Sequence, residues 1–248
     1  MIGQLFHLIL YQPLFNLLIV LYEYLPGHDF GMAIIFLTLF TRFISYPFSN
    51  QAIKAQKALN DIQPKLRQIQ EKYKNDKTEL ARETMALYQR EKISPFAGLL
   101  PLFIQLPILI ALYQVFVRGL DPSSMVNLYK FITRPEIINP TFLNKIDLSK
   151  PSIILAILTG ISQYFQTAMM SPQRNSQQEK NNKKIVEIKS QTSEIMQKEI
   201  QYIFPLLIAF ILFKTPSAVA LYWLVSTLFS IVQQRLVKQN NRLYASAN

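Results

Sequence analysis

The stretch GMAIIFLTLFTRFISYPF, residues 31–48, has the length and apolar composition of a membrane span, but it carries a permanent cation, Arg42. About 20 apolar residues, at a rise of about 1.5 Å each, cross a hydrocarbon core of about 30 Å as an α-helix. An arginine in the middle of a bilayer costs about 2.5–3.5 kcal/mol on insertion scales, so it usually faces protein or water. The stretch therefore predicts a transmembrane helix with a polar environment beside it.

The composition of the whole chain is also typical of a membrane protein. Of the 248 residues, 50% are hydrophobic and 17% are charged, compared with about 25% charged residues in soluble domains. The apolar residues form blocks that alternate with highly charged blocks. We therefore expect an all-α, polytopic membrane protein that consists of one helical membrane domain with inserted soluble segments.

The composition excludes several kinds of site. The chain has no cysteine and only two histidines, which excludes disulfides, thiolate metal sites, cysteine nucleophiles and a metal cage built from histidines. We expect no cofactor and no metal. No Lys or Arg precedes Arg42, so the basic region of a secretory signal is missing and we expect the N-terminal segment to be retained.

Five membrane spans are predicted. Three segments have the required length and apolarity, at 31–49, 96–117 and 152–171. A fourth, longer apolar stretch at 201–234 is interrupted near Pro216, which cannot continue a helix, and we divide it into spans at 200–214 and 217–236. The segments between and after the spans are 50–95, 118–151, 172–199 and 237–248.

The distribution of positive charge predicts the orientation. Lys and Arg number nineteen in 50–95, 172–200 and 235–248 together, compared with five in 118–151 and none in 1–30. Positive residues accumulate in cytoplasmic loops, so the N-terminus is predicted outside and the C-terminus in the cytoplasm. Because topology accounts for most of the net charge of +11, we expect no direct nucleic-acid specificity.

The N-terminal residues 4–25 allow two interpretations. They are long enough to span the membrane, but polar residues and a proline interrupt them, at Gln12, Pro13, Asn16 and Glu23. A spanning helix would leave an uncharged cytoplasmic end. We favour an amphipathic helix from about Pro13 that lies on the outer surface, within an external segment 1–30.

The first cytoplasmic segment, 50–95, has the pattern of a helical hairpin. Apolar residues follow a 3,4,3,4 spacing at Leu59, Ile62, Leu66, Ile69 and Tyr73. Asp76, with Glu79 three residues later, is typical of a helix N-terminus and begins the second helix. The hairpin is either solvated without a partner or a platform for incoming chains or the ribosome. The second cytoplasmic segment, 172–199, is predicted as a flexible loop with at most a weak helix around Ile185, Ile188 and Ile195.

Polar residues form stripes on the predicted spans. The first span has Thr38, Arg42, Ser45 and Ser49 on one face. The others contribute Gln105 in the second span, Thr159, Gln163 and Gln166 in the third, and Trp223, Ser226 and Ser230 in the fifth. No span contains Asp or Glu, so only water, hydroxyls, amides and carbonyls can solvate the guanidinium of Arg42. This pattern favours a hydrated cavity.

Simpler interpretations remain for these residues. Arg42 lies about seven residues from the cytoplasmic end of its span, and its long side chain could extend toward the headgroups. The glutamines could serve only to hold helices together. Tyr222 and Trp223 could simply pack against lipid or the protein core.

Four stretches together closely resemble the YidC family of membrane protein insertases. They are TRFISYPFSNQAIKAQKALNDIQPKLRQIQEKYKND (41–76), ETMALYQREKISPFAGLLPLFIQLPILIALYQVF (83–116), FLNKIDLSKPS (142–152) and LYWLVSTLFSIVQQ (221–234). The resemblance extends from about Gln12 to Leu236. No large external domain is found, so the chain resembles a minimal form of the family.

The resemblance implies five transmembrane helices around a hydrophilic groove that is open to the cytoplasm and to lipid and closed toward the outside. Arg42 matches the groove arginine of the family, and Gln166 and Trp223 match its polar and aromatic groove positions. We add Thr38, Ser45, Gln105, Gln163 and Ser226 as candidate lining residues. Such proteins insert nascent membrane proteins into the lipid bilayer of the bacterial inner membrane, alone or beside the Sec translocon, without nucleotide hydrolysis.

The chain departs from the family pattern at three motifs, which read Ser94-Pro95, Leu100 and Thr215 to Ala218 here. Its short, mildly basic tail puts ribosome docking through the tail in doubt. Two other classes remain open, an anion transporter that uses Arg42 and an assembly scaffold without insertion activity. An enzyme is not expected, because the spans offer no acid/base pair, metal cluster or nucleophile.

Overall fold

The computed structural model describes the backbone of residues 2–94, 96, 100–118, 122–135, 137–170 and 191–246. These residues form nine α-helices and one two-stranded antiparallel sheet. The expectation of a mostly helical protein is therefore confirmed. Three helical segments are long and apolar enough to cross a membrane, Gly3–Tyr24, Phe30–Asp61 and Ser217–Val237, and shorter apolar helices lie at Phe103–Val117, Ile153–Met169 and Tyr202–Leu212.

The chain begins with a helical segment that is longer than expected. It consists of α1 (Ile2–Phe6), a π-helical turn (His7–Tyr11) and α2 (Gln12–Tyr24), whereas the sequence predicted a helix from about Pro13. Proline lacks an N–H and its ring clashes with the carbonyl four residues earlier in an α-helix. The wider π-helical turn relieves that clash and lets the helix continue through Pro13.

The first predicted span is part of a helix that extends well beyond residue 49. Helix α3 (Phe30–Asp61) has 32 residues and is about 48 Å long, which exceeds the hydrocarbon thickness of about 30 Å. Asp29 caps its first turn, since its Oδ1 accepts from the Met32 N–H at 2.8 Å. The change in hydropathy near residue 49 therefore does not coincide with the end of the helix, because a helix satisfies its own backbone in water as well as in lipid.

A helical hairpin follows α3. It consists of α4 (Gln63–Lys72) and α5 (Lys77–Arg90), which pack through Ile62, Leu66 and Leu87. The predicted cap is confirmed, because Asp76 Oδ1 accepts from the backbone N–H groups of Thr78 and Glu79, each at 3.0 Å. The hairpin thus has a small core of its own, separate from the main core of the protein.

Replacing Asp76 with alanine should loosen the first turn of α5. The loss of an N-cap typically costs about 1 kcal/mol, and the freed N–H groups belong to Thr78 and Glu79. In the full-length protein, hydrogen exchange should become about fivefold faster in the peptide that covers these residues. Asp61→Ala is the matched control, because the side chain of Asp61 caps neither hairpin helix; unchanged exchange in Asp76→Ala would contradict the capping role.

The remaining helices are α6 (Leu100–Arg118), α7 (Ile153–Met170), α8 (Gln191–Leu212) and α9 (Ser217–Ser246). The predicted break at Pro216 is present between α8 and α9. Two helices extend beyond the predicted spans: α8 begins at Gln191, before residue 200, and α9 continues to Ser246, beyond residue 236. The limits of the spans themselves stay predictions. The polar stretches at these ends have no glycine or proline, so the helices continue beyond their apolar parts. Residues 171–190, with the weak helix expected around Ile185 and Ile188, lie outside the described residues.

Helix α9 is central to the packing. It packs against α7 on one side and α3 on the other, while α7 also packs against α8 and α3 against α2 and α6. The buried contribution of α9 to the main core is apolar at its beginning, from Ala218 to Tyr222. Farther along, its buried residues become polar: Ser226, Thr227, Ser230, Gln233 and Gln234.

A layer of hydrogen bonds joins α2 to the segment between α6 and α7. Asn16 is 2% exposed, and its Nδ2 donates to the Asn127 carbonyl at 2.9 Å while its Oδ1 accepts from the Tyr129 N–H at 2.7 Å. The Tyr22 hydroxyl accepts from the Asn139 N–H at 2.9 Å. Helix α2 is thus fixed to this segment over about two helical turns, from Asn16 to Tyr22.

A small hairpin of β1 (Thr141–Phe142) and β2 (Ile146–Asp147) connects the beginnings of α3 and α9. The ring of Phe142 lies against Gly31, where a Cβ would come within 2.2 Å of the ring. Beyond β2, the Lys150 and Leu148 carbonyls accept from the Ser217 and Ala218 N–H groups, at 2.9 and 3.1 Å. The Ser149 hydroxyl and Lys150 ammonium hold the pKa of the Asp147 carboxyl below its usual range, so this end of the molecule keeps that anion unless the medium becomes strongly acidic.

Candidate functional site

Arg42 lies in the middle of α3 and is half-buried, whereas the next two residues, Phe43 and Ile44, are 66% and 60% exposed. The helix thus directs Arg42 toward the protein and its apolar neighbours outward. Within the part of the chain that the structure describes, no carboxylate lies within ion-pairing distance of Arg42. The charge is therefore solvated by neutral polar groups.

One of these groups is the hydroxyl of Tyr222 on α9, which interacts electrostatically with the Arg42 guanidinium. Tyr222 is 2% exposed, and its oxygen accepts a hydrogen bond from Gln105 Nε2 on α6. We call Arg42, Tyr222 and Gln105 the Arg42 cluster. It joins three helices through one buried hydroxyl.

Tyr222 is not among the site residues predicted from the sequence, which leaves packing against lipid or the core open as one interpretation of it. One signal pointed toward it: a tyrosine in an apolar helix needs a hydrogen-bond partner for its hydroxyl. Periodicity could not reveal which partner, because the direction of Tyr222 depends on the rotation of α9 relative to α3. The structure thus adds one residue to the predicted set.

The hydroxyl groups of α3 near Arg42 are mostly used by the helix itself. The Thr38 hydroxyl donates to the Ile34 carbonyl at 2.6 Å, and the Thr41 hydroxyl donates to the Thr38 carbonyl at 2.8 Å. Thr38, Thr41 and Ser45 are all buried at the face that carries Arg42. The predicted polar stripe is present, but the Thr38 hydroxyl donates its hydrogen bond within its own helix. Only the lone pairs of its oxygen are then left to accept from another group.

A second polar group lies between α7 and α9. Gln163 Oε1 accepts from Trp223 Nε1 at 3.0 Å and from the Thr227 hydroxyl at 3.4 Å. Gln163 Nε2 donates to Gln166 Oε1 at 3.0 Å. We call Gln163, Gln166, Trp223 and Thr227 the Gln163 network. It brings together three of the predicted site residues.

At the other end of the α3–α9 contact, the structure adds Asn50, Gln233 and Gln234 to the predicted stripe of Ser226 and Ser230. Gln233 Nε2 donates to the Tyr46 carbonyl at 3.3 Å, and the Ser230 hydroxyl donates to the Ser226 carbonyl at 2.9 Å. Two buried acceptors, Asn50 Oδ1 and Gln234 Oε1, have no hydrogen-bond partner among the described residues. The signal was available, since Ser226, Ser230, Gln233 and Gln234 follow a 4,3,1 spacing on one helix face.

The structure places the predicted site residues in two groups that meet on α9. Gln105 donates a hydrogen bond to Tyr222, which also interacts electrostatically with Arg42. Gln163 and Gln166 are linked to Trp223. Thr38, Ser45 and Ser226 are buried beside these groups. In the described residues, no group of three or more His, Asp or Glu side chains could hold a metal. The arrangement offers a cation, amides and an indole N–H, which can bind and hydrate a polar chain.

Comparison with known proteins identifies the family. A family model described as "60Kd inner membrane protein" matches residues 20–244. The "Membrane protein insertase YidC" of Oceanobacillus iheyensis is 34% identical over 218 residues, which cover 86% of this chain and 76% of that protein. This chain belongs to the YidC family. YidC proteins of Clostridium tetani and Fusobacterium nucleatum are 33% and 30% identical, over 86% and 84% of this chain and 84% and 86% of their own lengths.

Membership in the YidC family confirms the resemblance recognised in the sequence. The names of these relatives describe insertion and not catalysis, in agreement with the expectation that the chain is not an enzyme. The family description and the apolar helices also support an inner membrane protein. The orientation of the two termini stays a prediction.

Proposed function

We propose that this chain is a membrane protein insertase that binds nascent membrane proteins in a hydrophilic groove around Arg42. The groove is open to the cytoplasm and to lipid, and closed toward the outside by the packed beginnings of α3 and α9. The observation that carries the proposal is Arg42 itself, a half-buried cation without a carboxylate partner in the described part of the chain. A fixed ion pair would have occupied the charge, whereas neutral neighbours leave it available.

The groove acts by lowering the cost of moving polar groups. A client with a short polar tail must remove that tail from water to cross the membrane, and buried polar groups without partners are costly. A polar surface that extends partway into the bilayer shortens the apolar distance that the tail must cross. The buried amides along α9 and the two free acceptors, Asn50 Oδ1 and Gln234 Oε1, support such a polar route from the cytoplasmic side to Arg42.

Arg42 attracts acidic residues of the tail only transiently. Hydrated ion pairs are worth about 0–1 kcal/mol, which is weak enough for release. The membrane potential then assists the transfer of negative charge outward, at about 2.3 kcal/mol per charge per 100 mV. Neither step requires nucleotide hydrolysis.

The client helix leaves the groove along α7 and α9. Both helices combine the polar Gln163 network with large apolar side chains that are exposed to the surroundings, Ile161, Phe165, Leu228 and Val232. A nascent apolar segment that passes Trp223 therefore meets first an aromatic ring and then lipid. Burial of the segment in lipid drives this last step.

The topology proposed for this mechanism has an external N-terminus and a cytoplasmic C-terminus. Helix α2 then lies on the outer surface, which its hydrogen bonds from Asn16 and Tyr22 to residues 127–139 support. The α4–α5 hairpin lies in the cytoplasm, where it meets incoming chains and, in some reactions, the Sec translocon or the ribosome.

Crosslinking during translation tests the groove. A photoreactive amino acid is placed at Gln166 or Trp223, and membranes that contain the variant receive ribosomes carrying a short membrane protein. We expect adducts with the nascent chain at both positions. Leu206 is the control position, because it is 70% exposed and lies on α8, which carries no residue of the Arg42 cluster or the Gln163 network. Nascent-chain adducts at Leu206 but at neither groove position would reject the proposal.

A further inference from the structure

Gln163 is the most connected side chain of the α7–α9 interface, although the family resemblance points to Gln166 and Trp223. It is 6% exposed. Its Oε1 receives the indole N–H of Trp223 at 3.0 Å and the hydroxyl of Thr227 at 3.4 Å, and its Nε2 donates to Gln166 Oε1 at 3.0 Å. One amide thus contacts both residues that are predicted to meet the client.

The chemistry of these partners fixes the direction of the Gln163 amide. An indole N–H can only donate, so the atom of Gln163 that faces Trp223 must be the carbonyl oxygen. The NH₂ group then has to point to Gln166, whose Oε1 accepts it. In consequence, the NH₂ group of Gln166 is the part of that side chain left to donate to another molecule.

We infer that Gln163 is a positioning residue that orients the Trp223 ring and the Gln166 amide toward the client. The inference rests on the proposed function and deepens it. The surface that results presents an aromatic face and two amide N–H donors, which suits the backbone carbonyls of an unfolded, extended polypeptide segment better than an anion. Arg42 attracts acidic side chains of the client, whereas the Trp223 ring and the Gln166 amide, oriented by Gln163, bind its main chain.

A purely structural role can be separated from positioning, because a second hydrogen bond joins the same helices. The Thr159 hydroxyl on α7 donates to the Ala220 carbonyl on α9 at 3.2 Å and to Leu155 at 2.7 Å. Thr159 is fully buried, and its hydroxyl bonds to the backbone and not to Trp223 or Gln166. Thr159→Val therefore removes an interhelical hydrogen bond while the Gln163 network stays intact.

The chain contains a single tryptophan, Trp223, so its fluorescence and its indole Raman band report on this one site. We expect Gln163→Met to shift the emission of Trp223 to shorter wavelength and to move the Raman band that senses N–H hydrogen bonding. Insertion of a short membrane protein into proteoliposomes should fall about threefold or more. Thr159→Val should leave the spectra and the insertion near the wild-type values.

A second variant covers the case in which Gln163→Met does not fold. Gln163→Asn keeps the amide but shortens its reach, so it should give the same spectral change in a protein that keeps its helical content. In a Trp223→Phe background, the effect of Gln163→Met on insertion should shrink, because part of its action passes through the missing indole.

Three results would overturn the inference: unchanged Trp223 spectra in Gln163→Met, a loss in Thr159→Val equal to that in Gln163→Met, or an undiminished effect in the Trp223→Phe background. The proposed function is judged separately through Arg42→Ala. If Gln163→Met inserts normally while Arg42→Ala fails, positioning by Gln163 is rejected and the groove stands. If Arg42→Ala also inserts every client normally, the groove itself is rejected.

Discussion

Replacing Arg42 with alanine should lower the insertion of clients with acidic tails about tenfold, and that of clients with neutral tails much less. A factor of ten corresponds to about 1.4 kcal/mol, which is close to the lower end of the contribution of a single hydrogen bond to a charged group. The loss is selective because the guanidinium has no carboxylate partner in the described residues. Its removal breaks no ion pair that holds α3 to another helix.

Arg42→Lys separates charge from geometry. A lysine keeps the cation and hydrates strongly, but it cannot form the two parallel hydrogen bonds of a guanidinium. We expect Arg42→Lys to retain much of the activity, because the proposed task needs charge and hydration in a wet groove. Arg42→Gln supplies the matched polar control without charge.

The measurement is insertion into proteoliposomes of one client whose tail carries zero, one, two or three aspartates. For the wild-type protein and Arg42→Lys, with the client added to the medium, a positive potential in the vesicle lumen should increase insertion with each added negative charge. For Arg42→Ala and Arg42→Gln, the dependence on tail charge should flatten. Equal activity of Arg42→Ala on the whole series would defeat the electrostatic role.

Local patterns in the sequence predicted the features that depend on neighbouring residues. Asp76 caps α5 because its spacing to Thr78 and Glu79 is set within one helical turn. The break at Pro216 follows from the chemistry of one ring and a missing N–H. The polar stripe at Arg42 follows from helical periodicity, and two of its members, Thr38 and Ser45, are buried.

Features that depend on the mutual rotation of helices could not be predicted in this way. The interactions of Tyr222 with Arg42 and Gln105 depend on the rotation of α9 relative to α3 and α6. The hydrogen bonds that link Gln163 to Gln166 and Trp223 depend on the distance between α7 and α9. Residue spacing predicted Gln163 and Gln166 as polar site residues. It could not show that Gln163 is the residue that hydrogen-bonds to both Gln166 and Trp223.

The ends of several helices could not be predicted from hydropathy. The hydropathy of residues 31–49, 200–214 and 217–236 predicts the limits of the spans, whereas the helices α3, α8 and α9 all continue into polar sequence. The β1–β2 hairpin was not predicted at all, because strands of two residues are too short to show an alternating pattern. Its role at the beginnings of α3 and α9 is visible only in the folded chain.

Replacing Asn16 with leucine should detach α2 from the segment between α6 and α7. Asn16 is the best-bonded residue of α2, since it donates to the carbonyls of Gln12 and Asn127 and accepts from the Tyr129 N–H at 2.7 Å. Leucine has a similar volume but leaves that N–H without an acceptor. An unsatisfied buried donor costs about 1–3 kcal/mol, so the unfolding temperature in detergent should fall by several degrees.

Gln12→Leu is the matched control, because Gln12 donates one hydrogen bond, to the Asn127 carbonyl at 3.1 Å, and Asn16 still binds that carbonyl after the change. It should cost about 1 kcal/mol or less. A destabilisation by Gln12→Leu equal to that by Asn16→Leu would show that the Tyr129 N–H does not depend on Asn16. Asn16→Asp should also destabilise, because a carboxylate would face two carbonyl oxygens.

The same helix yields a readout of topology, because the chain has no cysteine of its own. Gln4→Cys introduces a thiol at an exposed position near the start of the N-terminal helix. If α2 lies on the outer surface, a membrane-impermeant maleimide should label this thiol in intact cells, and Asn16→Leu should increase the labelling rate as the helix loosens. If the helix spans the membrane, the thiol lies inside and reacts only after permeabilisation. That result would reject the surface position of α2. It would also place the segment of Asn127 and Tyr129 in doubt as an external segment, because the hydrogen bonds of Asn16 hold α2 beside it.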